Sequence, residues 1–106
     1  MVRITLTKKD DKIKKVEIKG HAGYDKYGKD IVCSAISSIA CTALLGLIEF
    51  SSRKVEYIKK EGHLSFDVPQ AESEEERIRT EAILKTMELG LRDIQKGYSA
   101  FVKMEE

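Results

Sequence analysis

The sequence predicts an α+β fold, a two-layer sandwich of a mainly antiparallel sheet and two helices, in the order ββαββα with a possible short C-terminal strand. Three observations predict it. Apolar and polar residues alternate near the N-terminus, as in a half-buried strand. No residue from Ile31 to Ile48 is charged, and Asp30 stands before this run as a helix N-cap. A later segment carries an apolar stripe at helical spacing, formed by Leu84, Met87, Leu91 and Ile94.

The first half of the chain is predicted to form a hairpin, a loop and a helix. The first strand covers Val2 to Thr7, a charged turn covers Lys8 to Lys12, and the second strand covers Ile13 to Lys19. A glycine-bearing loop follows from Gly20 to Lys29. The first helix then runs from Ile31 to about Phe50.

The second half adds two strands, a helix and a short last strand. The two strands are predicted over Lys54 to Lys59 and over His63 to Val68, before the single proline. Ser73 and the glutamate three residues later form a capping box that begins the second helix, which runs to Lys96. Gly97 is predicted as its C′ residue. The last strand would cover about Phe101 to Met104.

Composition limits the function classes. The chain has 106 residues, enough for one domain over residues 1–106, and 19 basic against 18 acidic side chains give a net charge of +1. No overall charge therefore favours nucleic acid or an acidic membrane surface. The N-terminus lacks the apolar core of a signal peptide, and a helix buried in the fold explains the charge-free run better than a membrane span. We expect a cytoplasmic protein with free thiols.

Cys33 and His21 are the candidate catalytic residues. With Asp30 as N-cap, Cys33 lies in the first helical turn, where free main-chain amides and the helix dipole favour a thiolate. The same amides are expected to hold the oxyanion of a tetrahedral intermediate. An imidazole at His21 can take the thiol proton and return it to a leaving amine. The residues alone leave open that Cys33 is a small buried side chain and His21 a strand-end residue.

A metal site is not predicted. The two histidines and two cysteines lack the spacing of a tetrahedral ligand set, so we expect no metal and no cofactor. Cys41, deep in the first helix, is predicted to be a small buried side chain.

The chain resembles the ribosomal-processing cysteine protease family, Prp, in two motifs. They are Gly20-His21-Ala22 and Asp30-Ile31-Val32-Cys33-Ser34-Ala35-Ile36-Ser37. The resemblance covers the whole chain in length and in element order. It implies that Cys33 is the nucleophile and His21 the base, with Asp30 and Ser37 as supporting residues. Ser34 stands where members often carry alanine, which leaves the chemistry undisturbed.

The resemblance also implies a substrate and an assembly. Prp enzymes remove a short N-terminal extension from large-subunit ribosomal protein twenty-seven, cutting after an aromatic-rich segment. Members are usually homodimers with a mobile loop between the histidine and the cysteine. Here Gly23 and Gly28 would make that loop pliable, and Tyr24 and Tyr27 would close over an apolar peptide. Ordinary loop packing is the alternative for both tyrosines.

Two other function classes stay open. The first is a non-catalytic ribosome-assembly factor, in which the hairpin lysines (Lys8, Lys9, Lys12, Lys14 and Lys15) and Lys59 and Lys60 touch RNA phosphates. Acidic residues among these lysines favour a solvated turn instead. The second is a cysteine hydrolase acting on another peptide. It would show no preference for aromatic residues before the cut.

Overall fold

The computed structural model describes residues 1–26 and 30–106, and it shows an α+β fold of two helices and a five-stranded sheet. The elements in chain order are β1 (Val2–Lys9), β2 (Lys12–Lys19), α1 (Ile31–Phe50), β3 (Tyr57–Lys60), β4 (His63–Asp67), α2 (Glu74–Gly97) and β5 (Val102–Glu105). The predicted fold class and element order are confirmed, including the short C-terminal strand.

The sheet has the strand order β3-β4-β2-β1-β5. The pairs β1–β2, β2–β4 and β3–β4 are antiparallel, and β5 joins β1 in parallel. One sheet face carries the buried apolar side chains of the strands, including Ile4, Val16 and Phe66, and the apolar faces of the helices complete the core. The predicted mainly antiparallel sheet is therefore correct, with one parallel pair at its edge.

Several element ends differ from the predicted ones. Asp10 and Asp11 form the β1–β2 turn with φ of 53° and 64°, so the strands extend further into the charged segment than predicted. β3 begins at Tyr57 rather than Lys54, and all four of its residues are exposed. The predicted C′ role of Gly97 is wrong, because Gly97 is still helical and Tyr98 is the C-cap of α2.

The predicted capping box at α2 is half formed. The Ser73 hydroxyl accepts a hydrogen bond from the Glu76 amide at 3.1 Å, which caps the helix. The Glu76 side chain, however, is buried and accepts from the Ser52 amide at 3.2 Å and from the Ser52 hydroxyl. The Glu76 carboxylate therefore links the segment after α1 to the start of α2 and does not accept from the Ser73 amide, as a full capping box requires.

The first helix is the most apolar element. It is long enough, and with a mean hydropathy of 2.2 apolar enough, to span a membrane. The core helices of soluble proteins also meet these two criteria. Its buried residues pack into the core, but Leu45 and Ile48 are 65% and 45% exposed. The helix therefore presents an uncharged surface as well as a core face.

A buried ion-pair cluster joins β1 to α2. Glu88 is 4% exposed and accepts hydrogen bonds from Lys8 Nζ at 3.0 Å and from Arg92 Nε at 2.9 Å. Both cations also contact Glu106. Burial raises the pKa of Glu88, but the hydrogen bonds from Lys8 and Arg92 hold it below its ordinary value.

We expect Glu88→Gln to lower the free energy of unfolding by about 3 kcal/mol, because it leaves the partly buried Lys8 without its buried charge partner. Urea denaturation followed by circular dichroism measures this change. Asp93→Asn removes an exposed acid from the same helix and should change stability by less than about 0.5 kcal/mol. Equal effects of the two substitutions would show that the cluster does not stabilise the fold.

Candidate active site

Asp30 organises the junction between the loop and α1. Its carboxylate is 6% exposed, and it accepts from the Cys33 amide at 3.0 Å and from the Tyr24 amide at 3.2 Å. Its own carbonyl accepts from the Ser34 amide at 3.0 Å. Asp30 is thus the N-cap of α1, as predicted, and it also fixes the start of the loop that leads to the helix.

The charge of Asp30 is held in the ionised form. Burial raises the pKa of this carboxyl, but hydrogen bonds from the main-chain amides of Cys33, Tyr24, Val32 and Gly23 bring it below the ordinary value. The Cys33 amide therefore points at Asp30. The expectation that this amide holds a substrate oxyanion is wrong for the structure described, since an N–H engaged by a buried carboxylate is not directed at a carbonyl.

Cys33 opens onto a small pocket. The residue is half-buried, and the pocket beside it has a volume of about 120 Å³. Ser37 and Cys41 follow Cys33 at intervals of four residues along the same side of α1 and line the same pocket. The other walls come mostly from the sheet and include Val2, Ile18 and Leu64. This volume holds one side chain rather than a whole small-molecule ligand, whose pockets measure about 300–1,000 Å³.

The side chain of His21 packs against the turn between β3 and β4. A Cβ built on Gly62 would lie 3.3 Å from His21 Nε2, so the imidazole packs on that glycine. Gly20 and Gly62 both line the pocket that contains Cys33, and the Gly20 amide donates to the Gly62 carbonyl at 3.0 Å. Gly62, which lies far away in sequence, thus contacts the predicted base and lines the same pocket as the predicted nucleophile.

Gly20 has two reasons to be glycine. Its φ is +91°, and a Cβ on it would lie 2.6 Å from the Met1 carbonyl oxygen. The close approach of β1 to the end of β2 thus depends on the missing side chain, and this approach sets the position of the following His21.

The loop residues predicted to close over a substrate are partly described. Gly23 has a φ of +75° and open space around it. The Tyr24 ring packs edge-on against Tyr98 and Phe101, with ring centroids 5.6 and 5.3 Å apart. This contact is ordinary aromatic packing on the segment between α2 and β5. Tyr27 and Gly28 lie outside the described residues.

Comparison with known proteins decides the family. A family model described as "Cysteine protease Prp" matches residues 1–103. The chain belongs to the Prp cysteine protease family. Prp proteins named ribosomal processing cysteine proteases are similar to it: one from Staphylococcus aureus (strain NCTC 8325 / PS 47) is 26% identical over 98% of this chain and 97% of its own length. One from Bacillus subtilis (strain 168) is 24% identical, covering 92% and 90%.

Solved structures share the fold. A crystal structure of Prp from S. aureus, in complex with a covalently linked product peptide, superposes with a TM-score of 0.86 at 24% identity over both whole chains. A protein from Streptococcus mutans superposes with a TM-score of 0.77 at 21% identity, over 99% of this chain and 92% of its own. The shared fold therefore extends over at least 99% of this chain.

The candidate site includes two residues that the sequence did not predict to be part of it. Gly62 lies between the two strands of the second half, and its contact with His21 depends on the β3–β4 hairpin meeting the end of β2. Cys41 is half-buried and lines the pocket, although it was predicted as a core residue alone. Its spacing of eight residues from Cys33 was the available signal. In the described part of the chain, no group of three or more histidine, cysteine or acidic side chains is placed to hold a metal.

We expect Gly62→Ala to lower kcat/KM for peptide cleavage by about tenfold, because a methyl group at 3.3 Å displaces the imidazole of His21. The φ of +71° adds strain of about 1 kcal/mol or more. Steady-state kinetics below the unfolding temperature measure the effect. Gly97→Ala adds the same methyl group in open space on α2 and should leave kcat/KM unchanged. If Gly62→Ala is as active as Gly97→Ala, the position of His21 does not depend on this glycine.

Proposed function

We propose that this chain is a cysteine endopeptidase with Cys33 as nucleophile and His21 as general base. One observation carries the proposal: the half-buried Cys33 lines a pocket together with Gly20 and Gly62, and the imidazole of His21, the residue after Gly20, packs on Gly62. A thiol and an imidazole at one pocket are the minimum set of groups for acyl transfer through a thioester.

The reaction follows from these two side chains. His21 takes the thiol proton, and the Cys33 thiolate attacks the carbonyl carbon of the scissile peptide bond. The tetrahedral intermediate collapses as the C–N bond breaks, and the His21 imidazolium gives its proton to the leaving amine. Water, deprotonated by His21, then attacks the thioester, which releases the carboxylate product and restores the thiol. The ionised Asp30, which accepts from the Cys33 amide, disfavours a negative charge on the nearby thiol. The positively charged His21 imidazolium is therefore the group that stabilises the thiolate.

Asp30 and Ser37 support this chemistry without taking part in it. Asp30 fixes the start of α1 and the start of the loop by accepting hydrogen bonds from the Cys33 and Tyr24 amides. Ser37 is exposed one turn after Cys33 and lines the same pocket. Its small side chain keeps the space next to the thiol open.

We propose that the substrate is large-subunit ribosomal protein twenty-seven with an N-terminal extension, processed during ribosome maturation in the cytoplasm. Membership of a family of ribosomal processing proteases supports a ribosomal protein substrate. The predominantly apolar walls of the pocket suit an apolar residue next to the cut. Substrate binding would draw Gly23 and Tyr24 over the peptide, releasing the Tyr24 ring from Tyr98 and Phe101.

Peptide cleavage tests this specificity. Peptides spanning the extension of the host protein, with the residues before the cut left native or replaced by alanine, are compared by liquid chromatography. The proposal expects cleavage at one bond and a loss of at least tenfold in kcat/KM for the alanine peptides. Equal cleavage of both would favour a cysteine hydrolase of broader specificity.

We further propose a homodimer. The side of α1 that faces away from the sheet is uncharged between Ile31 and Leu45, and these two residues are 57% and 65% exposed. Such a surface is typical of a contact with a second copy. Analytical ultracentrifugation of the native protein and of Leu45→Glu tests it, with a shift to monomer expected for the variant.

The structure gives less support to an RNA-binding factor. Lys8 is bonded to Glu88 and Glu106, and Lys12 lies 2.9 Å from Glu81. Two lysines of the hairpin cluster are therefore neutralised within the fold, which reduces the charge available to phosphates.

A further inference from the structure

The edge strand β3 lies next to the pocket of Cys33 and has a free side. Within residues 1–26 and 30–106 it is the outermost strand of the sheet and pairs with β4 alone, and each of its four residues is exposed. Lys59 and Lys60 line the same pocket as Cys33, Ser37 and Cys41. The pocket is therefore open between α1 and the sheet edge.

The pairing of β3 with β4 shows which main-chain groups are free. The Asp67 amide donates to the Glu56 carbonyl at 3.0 Å, so this pair is hydrogen-bonded. Hydrogen-bonded and non-hydrogen-bonded pairs alternate in an antiparallel ladder, which places Ile58 opposite Ser65 in the next bonded pair. The N–H and C=O groups of Tyr57 and Lys59 consequently point away from β4, toward the open edge.

One side of α1 faces this edge. Cys33, Ser37 and Cys41 line the pocket together with Lys59 and Lys60, and Ile48 lies seven residues further along the same side. Ile39 is two residues from both Ser37 and Cys41, so it lies about 200° around the helix axis from each of them. Its side chain packs against Gly90 of α2. The pocket side of α1 is therefore the side opposite α2. It carries no charged residue, and Ile48 is 45% exposed.

We propose that β3 binds the substrate peptide as an added antiparallel or parallel strand, with the peptide main chain paired to Tyr57 and Lys59 and its scissile bond at Cys33. This inference rests on the proposed peptidase function and names how the substrate is held. From Cys33 to Ile48 the helix side is about 22 Å long. An extended peptide covers that length with six or seven residues at about 3.3 Å each.

The proposed mode explains how a small site can hold a long peptide. Main-chain hydrogen bonds to a sheet edge supply affinity along the peptide, whereas side-chain pockets supply specificity at alternate positions. The pocket of about 120 Å³ next to Cys33 takes one apolar side chain. The side chains of Tyr57 and Lys59 point to the same face of the sheet as Phe66 and Leu64, which is the face toward α1.

Two substitutions at one position separate main chain from side chain. Lys59→Pro removes the outward N–H and keeps the hydrogen bonds to β4, as proline does in edge strands. Lys59→Ala keeps this N–H and removes the side chain. We expect Lys59→Pro to weaken peptide binding about fivefold to tenfold relative to Lys59→Ala. Calorimetry with the substrate peptide, in a Cys33→Ala background that cannot cleave it, measures the difference, and thermal unfolding checks that both variants fold.

A main-chain scan of the peptide needs no change in the protein. Single N-methyl groups are placed at successive peptide amides, and each methylated peptide is titrated into Cys33→Ala. The inference expects losses of affinity at every second amide, because alternate amides face β3. Losses without alternation, or equal affinities of Lys59→Pro and Lys59→Ala, would overturn it. Dissociation of a dimer on Lys59→Pro would also overturn it, because β3 would then pair with a second copy of the chain and not with the peptide. Binding with alternation but no cleavage by the wild type would instead reject the peptidase function alone.

Discussion

Replacing Cys33 by alanine is expected to reduce peptide cleavage by about 10⁴-fold or more, because the thioester pathway cannot start without the thiol. His21→Ala should have an effect of similar size, since nucleophile and base act as one unit. Cleavage rates of both variants and of the double variant are measured with one peptide. The double variant should be no slower than the slower of the two single variants.

Folding must be unchanged for this result to be meaningful. Ser38→Ala removes an exposed hydroxyl from the same helix and should keep the wild-type rate. Alkylation by iodoacetamide gives a second measurement: His21→Ala should slow modification of Cys33, which mass spectrometry separates from Cys41. If Cys33→Ala cleaves the peptide at the wild-type rate, the nucleophile is another group and the assignment is wrong.

Replacing Asp30 by alanine is expected to lower the free energy of unfolding by about 2–4 kcal/mol. The substitution removes the N-cap of α1 and the buried acceptor of the Tyr24 amide together. Activity should fall as well, because the loop that carries His21 toward α1 loses its attachment. Ser73→Ala removes the N-cap hydrogen bond of α2 alone and should cost about 1 kcal/mol. Equal losses for the two variants would show that Asp30 is only a cap.

The contribution of Asp30 should depend on pH. Because its pKa is lower in the folded protein than its usual value of 3.8, ionised Asp30 stabilises the fold above that value. The stabilisation is lost as the pH falls through the lower, folded pKa. The difference in unfolding free energy between wild type and Asp30→Asn should therefore be constant near neutrality and shrink below about pH 4. A difference that is equal at pH 7 and pH 3 would contradict a charged acceptor.

Local sequence patterns predicted the parts of the fold that have one buried face. β1 alternates in burial as its residues alternate in polarity, and the stripe of α2 follows its helical period. β3 was predicted three residues too early because none of its residues is buried, so no pattern fixes its start. The side chain of Glu76 accepts from Ser52 instead of completing the capping box, because α2 packs against the segment that follows α1. The parallel pairing of β5 with β1 is likewise a long-range property.

In the candidate site, too, the local interactions were predicted from the sequence and the long-range contacts were not. Asp30 was predicted as the N-cap because a cap is a local interaction within three residues of the chain. The place of His21 on Gly62 and of Tyr24 against Tyr98 and Phe101 depends on segments distant in sequence, which no local pattern reveals. The helix-start position of Cys33 and the motif resemblance both predicted a pairing of His21 with Cys33, whereas the contact of His21 with Gly62 comes from the fold.

The most direct test of the account is the mass of the extended ribosomal protein twenty-seven from the same source after incubation with the folded, reduced wild-type protein. If Cys33 is the nucleophile of a processing protease, the ribosomal protein should lose one defined N-terminal peptide, and the mature chain should not be cut further. An unchanged precursor mass, with the Cys33 thiol shown to be free by alkylation, would contradict the account and favour a protein that binds at the ribosome without cleaving.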